Sequence, residues 1–396
     1  MKAGIVQKIF ADHYPLIEAS RPLSRRERRA AENILTCRTP AQGYHVDHCP
    51  NDDYRIIRDN SCKHRACPQC GSTETEIWIE RQVAKELRCP HHQIVFTIPH
   101  ALHPLWRWNR KLFTNLMFQA AWHTLRELLG DRRRQGTLPG VTAVFQSWGD
   151  ELQEHVHLHF IVTSGGLNAR GQWIAGPGEY LLPVPVVASK FRGKFLDYLS
   201  TAFKPETARG RQKSLTELLG PPPESTREKC LALLSAMSRI PWHVQIEPAY
   251  DQARSALKYI GRYIRRGPLS EKRILGYDGH TVTIAYAHPE KHAKPFFQLP
   301  AAVFVSRLLT HVPEPGTHCA RVYGLYQNVG RKQLNRARAQ LGQPPYQPES
   351  QVPDTHELLH RMFPDFTGDL CPNCRARLIT VTVVRPGRSP PVRQAA

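Results

Sequence analysis

Histidines at positions 155, 157 and 159 alternate with apolar residues and are followed by a wholly apolar run. Successive side chains of a strand point to opposite faces, so the three imidazoles share one face. The other face carries Val156, Leu158, Phe160 and Val162 and is predicted to pack into a core. A strand rises about 3.3 Å per residue, so His155 and His159 are about 13 Å apart and cannot bind one ion. The candidate metal site is therefore a neighbouring pair of imidazoles, and the alternative is a solvent-facing strand that carries histidines by chance.

A pair of tyrosines, Tyr259 and Tyr263, is the second candidate for chemistry. Their spacing on a predicted helix places both hydroxyls on one face, with Cβ atoms about 5–6 Å apart. Basic side chains accompany them and are expected to bind phosphates: Lys258, Arg262, Arg265 and Arg266. Leu257, Ile260 and Ile264 predict that part of this helix is buried. An aromatic pair packed on a core is therefore the alternative.

Cysteines near the N-terminus have the spacing of a structural zinc site. Cys67 and Cys70 form a Cys-x-x-Cys knuckle, which brings two thiolates to one ion. Candidate ligands that complete this site or part of a second one are Cys37, Cys49, Cys62, His45 and His64. Scattered buried thiols are the alternative.

A second knuckle, Cys371 and Cys374, lies near the end of the chain. Two thiolates cannot close a tetrahedral zinc site alone. The candidate partners for this knuckle are His356, His360 or the N-terminal cysteines, and an unoccupied thiol pair is the alternative.

The order and spacing of these motifs resemble the IS91-like transposases, two-tyrosine members of the HUH endonuclease superfamily. The resemblance rests on segments 96–100, 140–149, 154–167, 194–195, 259–263, 277–279 and 322–325. In the family pattern the metal pair directly precedes the apolar run, which selects His157 and His159 with Mg or Mn as the ion. The resemblance implies that a tyrosine attacks a phosphate of single-stranded DNA, giving a 5′-phosphotyrosine and a free 3′-hydroxyl. Two tyrosines acting in turn fit rolling-circle transposition, because one holds the first cleaved end while the other cuts again.

The resemblance also bears on the metal ligands. A third ligand is usual in the superfamily, and Gln146 on the predicted strand 141–148 is the candidate. Related chains often have histidine near this position, so a polar residue at a strand edge is the alternative. The family has an N-terminal zinc-binding domain with the same cysteine layout, but its members commonly have cysteine where this chain has Asp52. They also tend to have histidine at Ala66, whereas here His64 lies two places earlier.

Composition agrees with a nucleic-acid partner. Lys and Arg number 54 against 34 Asp and Glu, a formal net charge of +20, which favours binding to a polyanion. The 10 cysteines, mostly in knuckle spacings, indicate reduced thiols and metal in a cytoplasmic, nucleoid-associated bacterial protein. The chain shows neither a secretion signal nor an apolar run that spans a bilayer. The expected partner is single-stranded DNA of element ends and target. A P-loop is absent, so unwinding is expected to need a host helicase or supercoiled DNA.

These features predict an α+β fold. An HUH-type central antiparallel sheet flanked by helices is preceded by a small zinc-binding domain and followed by a mainly helical C-terminal region. The expected domains are a zinc-binding DNA-recognition domain at 1–90 and a catalytic domain at 91–297, with an insertion at about 168–241. Residues 298–396 are expected to hold helices, the second knuckle and a disordered basic tail.

Three other functions compete with the transposase. A plasmid or phage replication initiator or relaxase would use the same histidines and tyrosines, and the layout of the zinc region argues against it. A metal-dependent hydrolase would pair the histidines with carboxylates and would not need the tyrosines. A non-catalytic zinc-dependent DNA-binding protein would leave the histidine strand unexplained.

Overall fold

The computed structural model describes residues 4–178, 180–203, 225–250, 257, 261, 267–288, 290, 292–348 and 354–385. Within these residues the strands are β1 (Tyr44–His48), β2 (Arg55–Asp59), β3 (His91–Thr97), β4 (Thr137–Leu138), β5 (Gly140–Trp148), β6 (Glu154–Thr163), β7 (Gly165–Asn168), β8 (Trp173–Ala175), β9 (Val244–Ile246), β10 (Ile274–Tyr277), β11 (Thr281–Ala285), β12 (Phe296–Pro300), β13 (Ala320–Gly324) and β14 (Ile379–Val384). The α-helices are α1 (Ile5–Ser20), α2 (Arg25–Thr36), α3 (Ser72–Lys85), α4 (His103–Trp108), α5 (Arg110–Gly130), α6 (Val184–Ala202), α7 (Arg227–Ser238), α8 (Ala301–Thr310), α9 (Arg331–Gln340) and α10 (Thr355–Met362).

A five-stranded antiparallel sheet in the order β13-β5-β6-β3-β9 forms the centre of the fold. The predicted α+β class, with helices around a central antiparallel sheet, is confirmed. The histidine strand is β6, and it pairs with β5 across the tight turn that the sequence predicts near Asp150. In that turn the backbone N–H of Gly149 donates to the carbonyl of Gln153 at 2.8 Å.

One face of this sheet packs on the principal core. Val156, Leu158, Phe160 and Val162 of β6 are fully buried there, as the alternation of the sequence predicts. Helices α5, α6 and α7 cover this face, with Phe113, Phe191 and Phe195 among the buried rings. Helix α6 lies in the insertion predicted at about 168–241, and its apolar face is part of the core.

The opposite face of the sheet carries the histidines and is covered less completely. Val144 of β5 and Ile161 of β6 are buried on this face against Leu257, with Trp78 and Val83 of α3 packed alongside. The sheet is therefore sandwiched between helices. This explains why even the histidine face of β6 is buried along most of its length.

The N-terminal region contains a small sheet and helices α1, α2 and α3. Strands β14, β1 and β2 form a three-stranded antiparallel sheet, so the end of the described chain pairs with its beginning. Helix α2 begins with a capping box in which Ser24 and Glu27 satisfy each other's backbone N–H groups, an arrangement that contributes about 1 kcal/mol. Helices α1 and α2 share a second core with β11, β12 and α8.

The C-terminal region contains helices α8, α9 and α10, as predicted, but it also supplies strands to two sheets. β13 forms an edge of the central sheet, and β14 forms an edge of the N-terminal sheet. Within the described residues no helix is both long enough and apolar enough to cross a bilayer.

Candidate active site

The histidine pair lies in the middle of the sheet, on the face opposite the principal core. His157 is paired with Gln146 of β5, and His159 with Val144. Side chains paired across antiparallel strands point to the same face. The sheet register therefore places His157, His159 and Gln146 side by side, and all three are buried.

Three potential ligand atoms converge between these side chains. Nε2 of His157 and Nε2 of His159 are 3.0 Å apart. Oε1 of Gln146 lies 3.2 Å from the first nitrogen and 3.3 Å from the second. The arrangement is a nearly equilateral triangle of lone-pair donors. Nε2 of Gln146 has no hydrogen-bond partner, so the amide is oriented by its oxygen.

Both imidazoles are held in the neutral form that binds metal. Nδ1 of His157 is 2.9 Å from the carbonyl oxygen of His155, which only accepts, so this nitrogen carries the proton and Nε2 is free to bind an ion. Burial lowers the pKa of His157 well below its usual value, and the neighbouring His159 and His155 lower it further. Burial, with a smaller effect of His155, lowers the pKa of His159 to about 4.

The pair opens into a cleft of about 400 Å³ lined mainly by polar side chains. His155 lines its rim, so the structure brings the third histidine of the strand near the pair but not into the triangle. Arg273 is the one arginine or lysine among the described residues that line this cleft.

Glu154, at the start of β6, is held as a carboxylate. Burial would raise its pKa, but hydrogen bonds from His103 and Arg107 outweigh the effect of burial and hold that pKa at about 2.

The two tyrosines and their basic neighbours lie outside the described residues: Tyr259, Tyr263, Lys258, Arg262, Arg265 and Arg266. Two residues of the same segment, Leu257 and Gly261, are described, and both are helical and buried. Leu257 packs on Val144 and Ile161, on the sheet face that carries the histidine pair. A Cβ added to Gly261 would lie 2.5 Å from Cγ1 of Ile79, so the helix backbone comes close to α3 at this point.

Four cysteines form a compact group at the junction of α2 and α3. The sulfurs of Cys37, Cys62, Cys67 and Cys70 all lie within 4.8 Å of one another. The Sγ atoms of Cys62 and Cys70 are 3.7 Å apart, close to the separation of about 3.8 Å expected for two thiolate sulfurs on a tetrahedral zinc. The neighbouring Cys37 thiol raises the pKa of both Cys62 and Cys67. A cation is therefore needed if all four are to be thiolates.

A second group joins the two ends of the described chain. Cys49, Asp52, Cys371 and Cys374 place their ligand atoms within 4.8 Å of one another. The Cys49 and Cys374 sulfurs are 3.4 Å apart, and the Cys371 sulfur is 3.3 Å from Oδ2 of Asp52. Of the partners considered for the C-terminal knuckle, the structure brings an N-terminal cysteine to it. Asp52 was not predicted as a ligand, although its spacing from Cys49 matches a knuckle in which a carboxylate replaces the second thiolate.

Four histidines considered as zinc ligands lie outside both cysteine groups. Nδ1 of His45 hydrogen-bonds to Asn60, and Nδ1 of His64 accepts from the backbone N–H of Ala66. His356 and His360 face Asp369 instead of the C-terminal knuckle.

Two protein families and two individual relatives match this chain. Residues 9–98 match a family described as "Transposase zinc-binding domain", and residues 140–333 match one described as "Putative transposase". The chain is 32% identical over 376 residues to "Putative transposase y4qJ" of Sinorhizobium fredii, covering 93% of this chain and 92% of that protein. It is 28% identical over 301 residues to "Transposase for insertion sequence element IS801" of Pseudomonas savastanoi pv. phaseolicola, covering 74% of this chain and 69% of that one. No solved structure matches the chain significantly.

The fold, the cysteine groups and these matches define a DNA transposase with an N-terminal zinc-binding domain. More particularly, the chain belongs to the family of IS91-like transposases. The resemblance seen in the sequence motifs is thereby confirmed, and DNA is the partner that this class of protein acts on.

Proposed function

We propose that this transposase cleaves and rejoins single-stranded DNA through a 5′-phosphotyrosine intermediate, in transposition of the rolling-circle type. The observation that supports this proposal is the triangle formed by Nε2 of His157, Nε2 of His159 and Oε1 of Gln146. It lies on the sheet face against which Leu257, two residues before Tyr259, is packed.

The donor set fits a divalent ion. An octahedral ion about 2.1 Å from its ligands separates neighbouring ligands by about 3.0 Å, close to the edges of the triangle. Imidazole nitrogens favour Mn over Mg, and an amide oxygen suits either, so Mn is the better fit. His159 can bind an ion through Nε2 only if its proton is on Nδ1. Its Nδ1 is 3.3 Å from the side-chain amide of Gln93, and this amide must present its oxygen if Nε2 of His159 is to be the ligand.

The chemistry is an exchange of phosphodiester bonds. The Tyr259 or Tyr263 oxygen attacks phosphorus, its proton is lost, and the bond from phosphorus to the 3′-oxygen breaks. The 5′-phosphate is then joined to the tyrosine, and the 3′-oxygen leaves as a hydroxyl. A bound ion supplies polarisation of a non-bridging phosphate oxygen and offsets the charge of the transition state. Since no bond is hydrolysed, another 3′-hydroxyl can reverse the attack without an external energy source.

The remaining parts of the chain have supporting roles in this proposal. Lys258, Arg262, Arg265 and Arg266 bind the phosphates of the strand being cut. The zinc-binding region, residues 1–90, recognises the element ends, and residues 91–297 carry out the cleavage. In the C-terminal region, expected at 298–396, β13 and β14 complete the central and N-terminal sheets. Unwinding is left to a host helicase or to supercoiling in the bacterial nucleoid.

Zinc has two proposed positions, one within the zinc-binding region and one between that region and the C-terminal knuckle. The first is the group of Cys37, Cys62, Cys67 and Cys70, whose four sulfurs suit a closed structural site. The second is the group of Cys49, Asp52, Cys371 and Cys374, which would tie β14 to the N-terminal sheet.

The His157→Ala/His159→Ala variant tests the metal site. Loss of both nitrogens is expected to lower the rate of covalent adduct formation by about 10³-fold, because a catalytic ion contributes several kcal/mol of charge stabilisation. The measurement uses Mn and an oligonucleotide from an element end, labelled on its 3′ side and analysed on a denaturing gel. The matched control is His280→Gln/His318→Gln, which changes two exposed imidazoles elsewhere. Undiminished adduct formation by the alanine variant would refute the proposed site.

Gln146 offers a graded test of the third ligand. Replacement by leucine removes the oxygen and is expected to raise the Mn concentration needed for half-maximal cleavage by at least about tenfold. Gln146→His supplies a nitrogen at the same place and is expected to keep cleavage and to shift metal preference towards ions that favour imidazole. If both variants have the metal dependence of the unmodified protein, Gln146 is a structural polar residue.

A further inference from the structure

A further group of potential metal ligands lies in the C-terminal region, apart from the two cysteine groups and the histidine pair. His356 and His360 are one turn apart on α10, so their imidazoles lie on the same helix face. Both face Asp369, and the three ligand atoms lie within 4.8 Å of one another. Nε2 of His356 is 2.9 Å from Oδ2 of the carboxylate, and Nε2 of His360 is 3.3 Å from Oδ1.

These two contacts are short enough for hydrogen bonds, but neither is one. The two Nε2 atoms and both carboxylate oxygens are buried, and none of the four has a hydrogen-bond partner. A simple histidine–aspartate ion pair would direct a ring N–H at an oxygen, since buried polar groups are normally paired in this way. Here the ring nitrogens lie close to the carboxylate oxygens without forming hydrogen bonds to them. Four buried polar atoms that are clustered without hydrogen bonds are satisfied by a cation between them.

We propose that His356, His360 and Asp369 bind a divalent transition metal of the zinc class, with a water or another ligand in the fourth position. Two imidazoles and one carboxylate form a ligand set that zinc accepts in tetrahedral geometry, whereas Mg and Ca prefer oxygen ligands only. Two histidines at i and i+4 on a helix are a recurring way to supply two of these ligands.

The position of the site gives it a structural consequence. Helix α10 packs against α3, where Leu358 is buried and Arg361 forms an ion pair of 2.9 Å with the buried Glu80. One residue before Glu80, Ile79 is the side chain closest to Gly261 of the tyrosine segment. A metal between α10 and Asp369 therefore fixes the C-terminal segment on the helix that supports the tyrosine segment. This inference concerns metal binding alone and does not depend on the proposed DNA chemistry.

Zinc content of the full-length protein tests the site directly. The His356→Gln/His360→Gln variant is expected to bind one zinc fewer per chain than the unmodified protein, measured by plasma mass spectrometry after dialysis against metal-free buffer. The His280→Gln/His318→Gln control is expected to bind the same amount as the unmodified protein, because both of its imidazoles are exposed and lie outside the group. Equal zinc content in all three proteins would overturn the proposal.

A second measurement uses the unmodified chain and avoids any effect of substitution on folding. His356 and His360 are expected to be protected from diethyl pyrocarbonate when Zn²⁺ is restored after chelation, and to be modified when Mg²⁺ is added instead. Peptide mass spectrometry reads both residues in the same sample as the exposed His280. If Zn²⁺ fails to protect the two histidines while His280 reacts equally in all samples, the group is an ion triad without metal.

Discussion

A Tyr259→Phe/Tyr263→Phe variant is expected to form no covalent adduct with single-stranded DNA, while it still binds metal and DNA. Phenylalanine keeps the aromatic ring and removes only the oxygen that is proposed to attack phosphorus. In other enzymes removal of the nucleophile lowers turnover by on the order of 10⁶-fold, which here means no detectable adduct. No other change proposed for this protein is expected to have so complete an effect on the reaction.

The structural basis for this expectation lies in the residues that flank the tyrosines. Leu257 is buried against Val144 and Ile161, which are neighbours of His159 in the sheet. Gly261 lies close to Ile79 of α3, where a larger residue would collide. Both contacts are on the face of the sheet that carries the histidine pair. Leu257 and Gly261, on either side of Tyr259 in the sequence, are therefore held beside the candidate metal site.

Single variants and a matched control sharpen the test. Tyr259→Phe and Tyr263→Phe are each expected to keep one adduct-forming tyrosine and to lose joining of the strand to a second end, since two nucleophiles must act in turn. Tyr180→Phe changes an exposed tyrosine and is expected to leave both reactions unchanged. If the double variant still cuts DNA with undiminished rate, the cleavage is a hydrolysis by water and the phosphotyrosine proposal is wrong.

The sequence predicts the centre of the site well because local patterns encode it. Alternation of histidine with apolar residues predicts the two faces of β6, and the structure has this strand at Glu154–Thr163. A strand followed by a tight turn and a second strand predicts an antiparallel pair, which brings Gln146 opposite His157. The residue-by-residue pairing also depends on a β-bulge between Gln146 and Trp148, which shifts the register by one residue. Short-range patterns therefore predict the strand pair and its two faces, but the bulge that brings the three candidate ligands together has no signal in the sequence.

Contacts between distant parts of the chain could not be predicted in the same way. Pairing of β13 with β5 and of β14 with β1 depends on packing over long separations, and neither short strand has a distinctive pattern. The second cysteine group could not be predicted for the same reason, because Cys371 and Cys374 meet Cys49 only when β14 has joined the N-terminal sheet. Spacing within each knuckle identifies a possible zinc ligand but does not identify its partner across the fold.

The Cys67→Ser/Cys70→Ser variant is expected to lose one zinc per chain and to unfold the N-terminal region. Zinc contributes about 10–16 kcal/mol in small zinc-dependent domains, as much as the whole stability of an ordinary domain of about 5–15 kcal/mol. Both cysteines, with Cys37 and Ala66, also belong to the core that α1 and α2 share with α8. Loss of the ion therefore removes the link between the cysteine loop and that core.

Limited proteolysis and zinc content together measure this effect. The arginine-rich helix α2 is expected to become sensitive to trypsin in the Cys67→Ser/Cys70→Ser variant, because its buried side has no partner once the loop unfolds. The matched control is Cys89→Ser/Cys319→Ser, which removes two buried thiols outside both cysteine groups. Because these thiols belong to neither of the cysteine groups found among the described residues, this control is expected to keep its zinc and the trypsin resistance of α2, with a modest loss of thermal stability. Equal zinc content and equal trypsin sensitivity in the two variants would mean that the four-sulfur group acts as packing and not as a metal site.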